Sequence, residues 1–159
     1  MRKTLAVAAL IAGALDLAPS LAHAFEALPR LRWWSLDLWR EATVFNGQFA
    51  VLGILGAPLE FGAIAAAGGL AWTMRREEGF RIACAACVGF ALALVAWVVL
   101  VAPANAVLVT WHPGSLAADA DAVRWQWEQG HLVAAAIKLV AFALLAWAAV
   151  KPSGSDPPV

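Results

Sequence analysis

FRIACAACVGFALALVAWVVLVAPANAVLV, residues 80–109, carries one charged side chain, Arg81, in thirty positions. An α-helix needs about 20 mostly apolar residues to cross the hydrocarbon core of a bilayer. This run exceeds that length, so it tilts or projects beyond the core. Three other segments meet the same requirement: about Thr4–Leu28, Val44–Met74 and Val123–Val150. The 159-residue chain is 63% hydrophobic, 14% charged and formally neutral, a balance that fits neither a soluble domain nor a nucleic-acid binder. Short connections make sequential spans antiparallel. The expected fold is therefore an all-α membrane protein, four transmembrane helices in an up-down bundle. Residues 1–150 form one domain, and Lys151–Val159, with its Pro, Ser and Gly, reads as a disordered tail.

The loops differ in character. Pro29–Thr43 mixes Leu31, Trp33, Trp34, Leu36, Leu38 and Trp39 with Arg30, Arg32, Asp37, Arg40 and Glu41, the composition of a short helix lying in the membrane interface. Arg75-Arg76-Glu77-Glu78-Gly79 is a tight charged turn, and Trp111–Asp121 holds Pro113 and Gly114 and reads as irregular. At the N-terminus, Arg2-Lys3, Leu5–Leu15 and Ala22-His23-Ala24 imitate a secretory signal, but Asp16 and Pro19 interrupt it. The segment is read as a retained first span. Arg2, Lys3, Arg75, Arg76, Arg81 and Lys151 then lie on one side, and Arg30, Arg32, Arg40 and Arg124 on the other. The positive-inside rule makes the side with more Lys and Arg, and hence both termini, cytoplasmic.

Polar side chains inside these spans cost roughly 2.5–3.5 kcal/mol each when ionisable, and such residues mark function by default. They fall into stripes at helical spacing: Asp16, Ser20, His23 and Glu26; Asn46, Gly53 and Glu60; Asn105, Val109 and His112; Arg124, Trp127 or Glu128, His131 and Lys138. Lipid cannot satisfy them, so the stripes turn inward. At about 1.5 Å of rise per residue, His23 and His131 share a level some 9–12 Å below the first and third loops. Asp16, Glu60 and Lys138 gather about 20–24 Å down. Trp33, Trp34, Trp39, Trp111, Trp125 and Trp127 ring the same end, as an interfacial belt, a roof over a flat apolar ligand, or both. The histidines admit three chemistries: ligation of haem iron or a transition metal, general-base catalysis, or plain hydrogen bonding.

Cys84-Ala-Ala-Cys87 has redox spacing, as in the four-span vitamin K epoxide reductases. It lies far from the histidines and has no second cysteine pair to exchange with, so it reads as small residues at a helix contact. Phosphate-loop, dinucleotide, nucleophile-elbow and zincin motifs do not occur.

Three short patterns lie on the spans in order. Ala22-His23-Ala24-Phe25-Glu26-Ala27-Leu28-Pro29 looks like A-H-x-x-E-x-P, Pro103-Ala104-Asn105 like P-x-N, and Arg124 through His131 like R-x-x-W-E-x-x-H. Together they resemble the anthrone oxygenase-like integral membrane family, over roughly the four-span region. That resemblance implies a membrane enzyme that oxidises polycyclic anthrones to anthraquinones with molecular oxygen and no bound cofactor. It implies that His131 or His23 removes a proton, with Glu26 or Glu128 holding a histidine tautomer. Asn105, Trp127, Asn46 and Pro103 are the matching candidates for binding a small, apolar, aromatic substrate. Many relatives carry an arginine three residues after the last histidine, where this chain has Ala134. The implied location is a bacterial inner membrane. Two alternatives stand beside this reading. One is a haem- or metal-binding redox protein using His23 and His131; the other is a non-catalytic accessory subunit of a larger complex.

Overall fold

A computed structural model describes residues 2–46 and 48–151, so all but Lys151 of the expected disordered tail lies outside the described residues. The chain is an all-α membrane bundle. Helix α1 spans Arg2–Trp33, and the short α2, Leu36–Arg40, continues into a π-helical turn, Glu41–Phe45. Helix α3 spans Gln48–Thr73. Helix α4, Phe80–Ala96, runs through a second π-helical turn, Trp97–Val101, into α5, Ala102–Leu108. Helix α6 spans Ala120–Val150. Among the described residues, α1, α3, α4 with α5, and α6 supply four spans long and apolar enough to cross a membrane.

Helices α1 and α4 each pack against both α3 and α6, closing a ring in which neighbours in sequence are neighbours in space. Arg2 pairs with Glu77 at 3.1 Å and donates to the Lys151 carbonyl at 2.6 Å. Both ends of the described chain thus meet the second loop at one end of the bundle, as an up-down topology requires.

That end is packed on small side chains. Ala6, Ala9, Ala63, Ala67, Ala83, Ala86, Ala141 and Ala148 are buried around Leu70, Met74, Phe90 and Leu145. Lipid tails are as apolar as these residues, so close van der Waals approach holds such helices together. Helices α4 and α6 approach closely: a Cβ added to Gly89 would lie 2.8 Å from Ala141 Cβ and 3.3 Å from its Cα. Gly89→Val is accordingly expected to destabilise the bundle by about 1–3 kcal/mol through overpacking. Thermal unfolding in detergent measures it, and an unchanged midpoint would mean that the two helices part freely. Cys84 and Cys87 are free thiols in this same contact region, Cys87 Sγ lying 3.5 Å from the Ile64 carbonyl of α3.

The opposite end is packed on tryptophan. Trp39, Val101, Ala104, Leu108, Val123 and Trp127 are buried together, with Trp34, Trp97 and Trp111 against them. Helix α2 does more than lie in the interface: Trp39 is fully buried, and Arg40 reaches the third loop, donating to the Gly114 carbonyl at 2.8 Å. Gly114 has φ +132°, a conformation that side chains resist. The first and third loops therefore close this end together. Trp33 and Trp125 remain exposed, as belt residues would.

Two helix boundaries differ from the sequence reading. Helix α1 continues through Pro29 to Trp33 rather than ending at Leu28, and Ser35 Oγ caps α2 by accepting from Leu38 N at 3.1 Å. Arg30 therefore belongs to a span and not to a loop. The third span is interrupted by its π-helical turn just ahead of Pro103, which has no N–H to donate to the Val99 carbonyl. Such turns re-aim the residues that follow and are frequent at functional sites.

Candidate active site

Between the alanine-packed end and the tryptophan-packed end the helices enclose a chamber of about 690 Å³. All four spans line it, with Asp16, Ser20 and His23 from α1, Gly53, Gly56 and Glu60 from α3, Trp97 and Asn105 from the third span, and Trp127, His131 and Lys138 from α6. A cavity of this size, mostly apolar with a few convergent polar groups, is what a small-molecule site requires. The chamber is not sealed. Leu55 of α3 and Val109, just past α5, line it while 51% and 65% exposed. A Cβ added at Gly53 or Gly56 would meet nothing within 4 Å.

The two histidines meet at the upper level. Their rings stack with centroids 4.4 Å apart and planes 22° from parallel. Trp127 stands edge-on to both, at 5.2 Å from His23 and 4.4 Å from His131. The indole is held in turn: its Nε1–H donates to Asn105 Oδ1 at 2.8 Å, and Trp39 packs against it at 5.6 Å. Trp39 Nε1–H donates to the fully buried Glu128 at 2.8 Å. Stacked imidazoles point ring faces at each other, whereas nitrogen lone pairs lie in the ring plane. The observed pairing thus has no room for a porphyrin between the rings. Among the described residues no group of three or more His, Cys, Asp or Glu side chains is placed to hold a metal ion.

Arg30, which the sequence places in the first loop, joins the site. Its guanidinium, 3% exposed, pairs with Glu26, lies 3.7 Å from Glu128 and reaches His23 Nδ1 at 3.4 Å. A guanidinium only donates. His23 Nδ1 must therefore accept, and the neutral ring carries its proton on Nε2. This is the orienting role expected of Glu26 or Glu128; both glutamates instead hold Arg30. Arg30 lies four residues after Glu26 and seven after His23, so the first polar stripe reaches it once the helix is carried past Pro29.

The other candidates are placed unevenly. Glu26 and Asn46 do not line the chamber; they border a separate cavity of about 320 Å³ with Arg30 and Trp34. Pro103 is exposed and off the chamber wall, so its part is to shape the third span. His112 falls beyond the end of α5, exposed, away from Asn105 and Val109. Thr43, which was not anticipated, lines both cavities.

The chain matches no protein-family model, curated protein or solved structure.

The chamber floor holds an ion cluster. Lys138 Nζ lies 2.8 Å from Asp16 Oδ1 and 2.5 Å from Glu60 Oε2, joining α6 to α1 and α3. All three side chains are more than nine-tenths buried. The helical levels estimated from the sequence converge here as expected.

Proposed function

We propose that this protein is an integral membrane oxygenase acting on a flat, apolar substrate with an acidic C–H bond, of the anthrone class. The observation that carries the reading is the stacked His23–His131 pair facing a chamber of about 690 Å³ that is open beside lipid-exposed helix surface. A lipid-soluble fused tricycle fits such a space, and Trp127 and Trp97 line it. His131 takes the proton from the activated C–H. His23 keeps its proton on Nε2 and steadies the oxygen on which the negative charge develops. The carbanion adds to molecular oxygen, and the resulting peroxide anion recovers the proton. Removal of the second C–H proton then forms the C=O bond as the O–O bond breaks, and the proton and the departing hydroxide leave together as one water. One anthrone and one O2 become one anthraquinone and one water. Positioned proton transfer of this kind contributes typically 10²–10⁴-fold. The protein sits in a bacterial inner membrane with both termini cytoplasmic.

Oxygen uptake by the detergent-purified protein with anthrone tests the reading. Protein-dependent consumption of one O2 per anthraquinone formed supports it; consumption no faster than in empty micelles ends it. A companion measurement concerns the α3 wall. Gly53→Phe projects a ring into the open space, so unfolding should move by no more than about 0.5 kcal/mol. Binding of a fused tricycle should be lost. Retained binding would mean that ligands occupy some other part of the bundle.

A further inference from the structure

We infer that the Asp16–Lys138–Glu60 cluster on the chamber floor is a subsite for a hydroxyl group at the far end of the ligand. The inference rests on the chamber being a ligand site, as proposed above, and not on the oxygen chemistry.

Two carboxyl groups share one ammonium at membrane depth, where polar atoms without partners are costly. Asp16 Oδ2 and Glu60 Oε1 are buried with no hydrogen-bond partner among the described residues. Lys138 has three N–H donors, of which Asp16 and Glu60 take two. Unused acceptors and an unused donor thus lie within one side-chain cluster that borders an apolar chamber. Buried polar groups are ordinarily satisfied, so their failure to satisfy one another calls for a partner.

The chemistry of that partner follows from the inventory. A carbonyl oxygen accepts only, and would leave the carboxylates as they are. An ammonium donates only, and would meet Lys138 as a like charge. A hydroxyl does both: it accepts from Lys138 and donates to a carboxylate oxygen. Of the hydroxyls a phenol is the stronger donor and sits on a flat ring, which makes it the best fit. The floor also sets a length. Lys138 follows His131 by seven residues, about 10.5 Å along α6. A ligand that places a C–H against the histidines and a hydroxyl on the floor must be rigid and elongated, as a linearly fused hydroxyarene is.

Anaerobic titration of the purified protein with a hydroxyanthracene, its methoxy counterpart and anthracene tests this, followed by the ligands' own fluorescence. The hydroxy compound should bind at least about tenfold more tightly than the other two, as hydrogen bonds to charged groups allow. A variant carrying Asp16→Val, Glu60→Met and Lys138→Met together removes every polar atom of the floor while leaving no orphaned charge. In it the three compounds should bind alike. Equal affinity in the unaltered protein, no binding of any of the three, or a hydroxyl preference that survives the triple replacement would each overturn the subsite. A preference that holds while anthrone consumes no oxygen would overturn the oxygenase reading and leave the subsite standing.

Discussion

Replacing His131 by alanine is expected to lower the rate of oxygen uptake with anthrone by about 10²–10⁴-fold, the usual contribution of a positioned general base. The side chain is half-buried on the chamber wall, between Trp127 and His23. Its loss enlarges a space that already exists and removes no ion pair, so the bundle should remain folded and still bind a fused tricycle. The effect belongs in turnover and not in affinity. His23→Ala should cost less, since that ring donates from Nε2 and does not take the first proton. Arg30→Met should reproduce part of the His23 effect by freeing the ring to change tautomer, a change that ¹⁵N chemical shifts of the imidazole nitrogens report directly. A His131→Ala protein that turns over anthrone at the parent rate would refute the proposed mechanism.

The second large effect concerns the floor. Lys138→Met alone is expected to destabilise the bundle by about 3–5 kcal/mol, because it leaves two carboxylates buried without their cation. Asp16→Val and Glu60→Met added to it should restore most of that loss, since apolar replacement of a whole buried ion cluster is often neutral or stabilising. Denaturant unfolding in mixed micelles compares the single and the triple variant. If Lys138→Met unfolds at the parent midpoint, the cluster is not holding α1, α3 and α6 together. The pair of proteins also separates stability from ligand recognition. The triple variant should be nearly as stable as the parent while having lost its preference for a hydroxylated ligand.

Much of this architecture was legible in the residues. The apolar runs mark the spans, and the helical rise places Asp16, Glu60 and Lys138 at one depth and His23 and His131 at another. Both groupings are realised, at 2.5–2.8 Å for the ion cluster and 4.4 Å between the imidazole centroids. Asn105 and Trp127, candidates on different spans, are joined by a 2.8 Å hydrogen bond. The failures have local causes. Pro29 reads as a helix end and so puts Arg30 in a loop, whereas a proline in a long span can lose one hydrogen bond and leave the helix running. Asn46 seemed to share a stripe with Gly53 and Glu60, but it sits in the turn that precedes α3, where helical spacing carries no information. His112 failed for the same reason at the other end of α5.

Span number, order and the depth of each polar side chain are properties of the chain read one residue at a time, because rise per residue is the same in every α-helix. The rotation and tilt of each helix are not, since they are set by which side chains interlock across the contact. Alanines and Gly89 draw the helices together at one end, while Trp39 and Trp127 fill the other. The chamber between those ends, the stacking of the two imidazoles and the seat of Arg30 beside His23 exist only in the packed bundle.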